Sequence, residues 1–200
     1  MKKITILSII LGCVASFSAN SALITSSTNS ALDGATVETF NSIGLGDYSS
    51  LSVSGATIVG NGGDMTISND FNTTSFGVDG YALQNAGGTP TSFSIIFDNA
   101  VDAFGIWGGA YNNSWTFSAF DSLDNLIESV TASTSCCSPM FFGLLNNDMA
   151  KVTLSGAGDW VIFDNLTYKE SVSAVPIPAA ALMFLPALLG FLGLRRKLQA

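Results

Sequence analysis

The chain is 200 residues long, with 15 acidic and 7 basic residues, no histidine and a formal charge of −8. Without imidazole, every mechanism that uses histidine as a general base or a zinc ligand is excluded. Five of the seven basic residues sit at the ends (Lys2, Lys3, Arg195, Arg196, Lys197), so the stretch between holds two basic and fifteen acidic residues, a formal charge of −13. That excess argues against charge-driven binding of nucleic acid or anionic lipid, and is compatible with divalent cations and with neutral or cationic glycans.

At the N-terminus, Lys2 and Lys3 precede an apolar run from Ile4 to Val14, and small residues follow at Ala15, Ser16, Ser18, Ala19, Ser21 and Ala22. This is the layout of a secretory signal peptide over residues 1–22, with the Sec translocon as the partner it implies. Cleavage is expected after Ala22 or Ala19, although Asn20 or Phe17 then stands where a small residue is preferred. Ile10-Leu11-Gly12-Cys13 also has the outline of a lipoprotein box, which leaves lipidation of Cys13 as the alternative. In both cases the chain that follows crosses a membrane.

Residues 23–170 have the length of one domain. After a Ser/Thr/Asn-rich lead from Leu23 to Ser30, short apolar runs recur between Gly, Asn, Asp and Ser. The predicted strands are Ala35–Phe40, Leu51–Val59, Met65–Ser68, Ser92–Phe97, Ala103–Trp107, Ser114–Phe120, Leu126–Thr131, Met140–Leu145, Lys151–Ser155 and Trp160–Tyr168. Several alternate clearly, as at Trp115, Phe117, Ala119 and at Val152, Leu154. The clearest hairpin runs from Trp115 through a turn at Asp121–Asn125 to Thr131. No sustained helical period occurs in this stretch. The expectation is an all-β domain, a two-sheet β-sandwich.

Candidate chemistry within the domain is sparse. Asp98 with Asp102, or Asp121 with Asp124, are the pairs weighed for carboxylate hydrolysis of a glycoside; both lie at strand ends, where Asp is ordinary turn chemistry. Without a histidine partner the Cys136-Cys137 pair is not read as a nucleophile. A vicinal disulfide that stiffens the loop before Pro139 is the default, against a bond to another chain or two free thiols. Trp107, Tyr111 and Trp115 gather around Gly108-Gly109 and Asn112-Asn113. Trp115 is in phase with Phe117 and is assigned to the core, whereas Trp107 and Tyr111 flank a Gly-rich loop and are the glycan-contact candidates, against a packing role. No catalytic residue is assigned.

Past a short polar linker, the C-terminal segment has a marked order of parts. Residues 171–178 end in Val175-Pro176-Ile177-Pro178, followed by Ala179 and an uncharged run to Leu194, then Arg195, Arg196 and Lys197. As a helix the eighteen residues from Ile177 to Leu194 extend about 27 Å, close to the roughly 30 Å hydrocarbon core. The two prolines place the start of the transmembrane helix near Ala179, giving 179–194. The three cations after it favour a cytoplasmic tail over 195–200.

The signal peptide, the exported middle and this ending together resemble the PEP-CTERM proteins of Gram-negative bacteria, whose tails are processed by a membrane transpeptidase, the exosortase. The signature Pro-Glu-Pro is here Pro176-Ile177-Pro178, similar to the variant tail that lacks the Glu. The resemblance implies an exosortase-like partner, anchoring in the inner membrane during sorting, and a final place at the cell surface or in an extracellular, biofilm-type matrix. Val101–Trp107, the central hairpin, Phe141–Leu144 and Phe163-Asp164-Asn165-Leu166-Thr167 also resemble the jelly-roll ectodomains often joined to such tails. Jelly-roll modules similar to this one often hold a structural calcium, which by resemblance of position points to Glu38 and Asp164; the competing reading is one solvated carboxylate on each strand. Three functions follow as expectations: a non-catalytic matrix protein retained with exopolysaccharide, a carbohydrate-binding or adhesive module, and a secreted glycoside hydrolase.

Overall fold

Short apolar runs that alternate with Ser and Thr bury one side only as strands, because a period of two puts the apolar set on a single face. A computed structural model of the chain describes residues 22–70, 79–85, 88–110, 113–134, 138–156 and 160–171. Outside the described residues lie the signal segment to residue 21, Tyr111, Cys136 and Cys137, and the tail from residue 172 with its sorting motif, helix 179–194 and basic end. Among the described residues no helix is long and apolar enough to cross a membrane.

The described residues are all-β. The strands are β1 (Ala22–Ile24), β2 (Thr36–Glu38), β3 (Gly46–Tyr48), β4 (Ser50–Val53), β5 (Ala56–Gly60), β6 (Met65–Ser68), β7 (Ala82–Gln84), β8 (Ser92–Ala110), β9 (Asn113–Phe120), β10 (Leu126–Thr134), β11 (Met140–Gly156) and β12 (Val161–Glu170). The predicted β6 and the β9–β10 hairpin are found in place. The run expected as one strand over Leu51–Val59 is instead the β4–β5 hairpin. Gly55 turns it at φ 68, and a Cβ there would press on the Tyr168 hydroxyl.

Two pairs of predicted strands fuse into single long ones, β8 and β11, and these two build the sandwich. Their halves Ser92–Ile96 and Lys151–Ser155 pair at the centre of a first layer, flanked by β9 and β10 on one side and by β5 and β4 on the other. Their other halves, Ala103–Gly108 and Met140–Leu145, pair at the centre of a second layer. There β1 joins β11, and β12 joins β8 and leads to β2, β7, β6 and β3. Between the halves the register of β11 on β8 jumps twice, on either side of Met149. Asp148 adopts φ 60 in this bulge, a conformation Asp tolerates better than most residues.

The layers meet in one aromatic core. Phe163 of β12 takes the rings of Phe93 and Trp115 edge-on at 5.5 and 5.4 Å, and Phe117 packs on Phe142 at 5.4 Å. Each such ring removed from water contributes about 1.5–3 kcal/mol. Trp115 is buried, as its phase with Phe117 predicts, and Gly156 is the clearance its indole needs.

A second, smaller core lies on the outer side of the second layer. Ala103 and Phe141 face outward there and are covered by Ile24 of β1 and by Leu32 of a short 3-10 turn, Ser30–Leu32. The polar lead from Leu23 to Ser30 is therefore a structural cover. Its two apolar anchors are too widely spaced for any local pattern.

Candidate functional site

Asp164 lies on β12 beside a bulge: Asn165 adopts φ 50, and the register on β8 jumps between Asp164 and Thr167. The side chain is only 1% exposed. Its Oδ2 accepts the Asp79 amide at 3.2 Å and its Oδ1 accepts the Asn165 amide at 2.6 Å. Burial pushes the carboxyl up to about 6; the two backbone hydrogen bonds oppose the rise, and the like charges of Asp79 and Glu38 add to it. Glu38 Oε1 accepts the amide of Phe40 at 2.8 Å, at a residue held at φ 58. The fold thus brings the Glu38 and Asp164 candidates together and adds Asp79.

Oxygen donors are the right kind for calcium. Three of the oxygens are already engaged by backbone amides. Among the described residues no group of three or more His, Cys, Asp or Glu side chains is placed to hold a metal ion. The carboxylates as they stand do not form a cation cage.

Three of the four carboxylates weighed for hydrolysis, Asp121, Asp124 and Asp102, have structural tasks. Asp121 accepts the amides of Leu123 and Asn125 and the side-chain amide of Asn125. The Asn125 bonds, side chain first and then backbone, hold its carboxyl below the usual range. Asp124 pairs with Lys151. Asp102 accepts the Ser171 hydroxyl at 2.6 Å, and exposed Asp98 closes the β5–β8 corner through its amide to Gly55.

Trp107 is half-buried. It packs edge-on against Phe141 at 5.6 Å, on the rim of the smaller core. Of the two roles open to Trp107, glycan contact and packing, the structure shows packing, and Gly108-Gly109 beside it continue strand β8.

A further surface lies on the first layer. On four adjacent strands most of its outward positions are hydroxyls, with Phe120, Lys151 and Ile96 along one border. Between β9 and β10, Ser114 bonds Ser133 at 3.0 Å, Thr116 bonds Thr131 at 3.1 Å and Ser118 bonds Ser129 at 2.9 Å. Between β8 and β11, Ser92 reaches Ser155 at 3.2 Å and Ser94 reaches Thr153 at 3.5 Å. The Asn61 side chain donates to both Ser92 and Ser94. Lys151, the cation bordering this face, is tied to Asp124 and lies over the Phe120 ring, 4.6 Å from its centroid. Its sequence signal is Ser or Thr at every second position of four runs, the polar half of the alternation that marks the strands.

No family model matches the chain, and no curated protein is detectably similar to it. Among solved structures, the CBM22-1–GH10 modules of Clostridium thermocellum xylanase 10B, complexed with xylohexaose, are similar at 9% identity and a TM-score of 0.46, over 69% of this chain and 29% of that one. TmCBM61 in complex with β-1,4-galactotriose shares 16% identity over 66% of this chain and 94% of its own, with a TM-score of 0.38. A mutant of CBM29-2, a family 29 carbohydrate binding module, shares 16% over 72% of this chain and 97% of its own, also at 0.38.

Proposed function

We propose that this chain is an exported, non-catalytic module of jelly-roll type, sorted by its tail to the bacterial surface or extracellular matrix and retained there with extracellular polysaccharide. The observation that carries the non-catalytic reading is the fate of the carboxylates: Asp121, Asp124 and Asp102 are each committed to a turn, an ion pair or a strand end. Export and sorting are supported by the order of segments: Lys2-Lys3 with its apolar run, then Val175–Ala179, the uncharged run and the final cations. The Sec translocon and an exosortase-like transpeptidase are the partners proposed on that ground.

Expression of the full chain, and of a chain lacking the last twenty-five residues, beside an exosortase tests the sorting. The full chain is expected to lose its tail and leave the inner membrane, whereas the truncated one escapes anchoring. A mature protein with an intact C-terminus overturns it.

A further inference from the structure

We infer that the open hydroxyl face of the first layer is the surface on which this module holds polysaccharide, and that the polymer it takes is extended and uncharged. This rests on the retention reading above and supplies its contact site.

The hydroxyls stand in register as two rows. Ser129, Ser118, Thr153 and Ser94 are successive pairing partners across β10, β9, β11 and β8, and Thr131, Thr116, Ser155 and Ser92 form the next row. Neighbouring strands lie about 4.8 Å apart, close to the advance of one pyranose ring in an extended chain. A polymer laid across the strands therefore meets one hydroxyl pair per sugar.

The chemistry of the rows selects the occupant. Each hydroxyl has one proton and two lone pairs, and each cross-strand contact uses one proton. One donor and several acceptors per pair remain for a partner. Carboxylates and phosphates only accept and ammonium groups only donate, so neither matches; another hydroxyl does both.

Charge points the same way. Exposed sheet faces ordinarily intersperse Lys and Glu, and these two rows contain neither. The surrounding domain repels polyanions, and Lys151 is already neutralised by Asp124. Ile96, 43% exposed and paired with Lys151 beside the rows, offers apolar contact to the C–H faces of the rings.

The test is retention of the full-length chain on insoluble neutral glycans, amorphous cellulose and xylan, with alginate as the anionic comparison. The wild type is expected to bind a neutral polymer and not alginate. Thr116→Val with Thr131→Val keeps the shape and removes two hydroxyls, and is expected to weaken retention roughly tenfold. Thr153→Lys puts an unpaired charge on the rows and is expected to abolish it, and Ser42→Lys, in the exposed turn between β2 and β3 of the second layer, to leave it unchanged. If both face variants bind as the wild type does while Trp107→Ala does not, the inference is overturned and the retention reading stands with its site elsewhere. If the wild type binds no glycan, both fall. If the face variants change only the sedimentation of the chain, the face joins two copies and the inference is overturned.

Discussion

The two outer faces of the sandwich are made by the same two long strands and meet opposite fates. On the first layer the outward residues of β8 and β11 include Ser92, Ser94, Thr153 and Ser155, and the face stays open. On the second, a few residues further along, they are Ala103, Trp107, Phe141 and Leu145, and the N-terminal segment folds over them with Ile24 and Leu32. The difference lies in what each face would expose to water. Apolar outward residues gain about 25 cal/mol per Å² from a cover, whereas Ser and Thr lose hydration beneath one. The covered face therefore holds the N-terminal segment in place, and the open face is free for a partner. The covered side also contains the buried carboxylate, since Asp164 is the pairing partner of Trp107.

The largest break in this comparison removes what both faces share. Phe163→Ala, at the junction of the Phe93 and Trp115 rings, is expected to cost about 3–5 kcal/mol and to lower the urea midpoint without separating the two layers into distinct transitions.

The Asp164 carboxyl supplies the next effect. Its folded value of about 6 exceeds its ordinary 3.8, so the folded state binds the extra proton. Its protonation therefore stabilises the fold as pH falls from 6 toward 4, and that gain is lost as pH rises through 6. In cation-free buffer, urea titrations at pH 7 and pH 4 are expected to show a gain of about 2–3 kcal/mol from this group, absent in Asp164→Asn. An equal pH response in the variant breaks the assignment.

Removing the cover tests the covered face alone. Ile24→Ala is expected to cost about 2 kcal/mol and to shift Trp107 fluorescence to the red, while glycan retention on the other face is unchanged. Smallest of all is the open face: Thr116→Val is expected to change stability by no more than about 0.5 kcal/mol, although binding falls. A large loss of stability there would mean that the hydroxyl ladder is a structural element.

Much of this arrangement is legible along the chain, because it depends on near neighbours. Met65–Ser68 and the hairpin from Trp115 to Thr131 follow from alternation and from turn residues such as Asp121, whose carboxylate holds its own loop. The burial of Trp115 follows from its phase with Phe117. The closeness of Glu38 to Asp164, felt as like-charge repulsion, is reachable only through resemblance to similar modules. The adjacent Asp79 is not, because a sequence separation of 85 between it and Asp164 hides the contact.

Local patterning thus dictates that strands form, where most of them lie and which side of each is apolar, since a period of two acts within a few residues. Folding in space adds what depends on distant partners: the merging of four predicted strands into β8 and β11, the cover over Phe141, the half-burial of Trp107 and the registration of separate Ser/Thr runs into one face. Those features are set by pairing between segments tens of residues apart. There the register that closes the aromatic core also fixes which hydroxyls stand side by side.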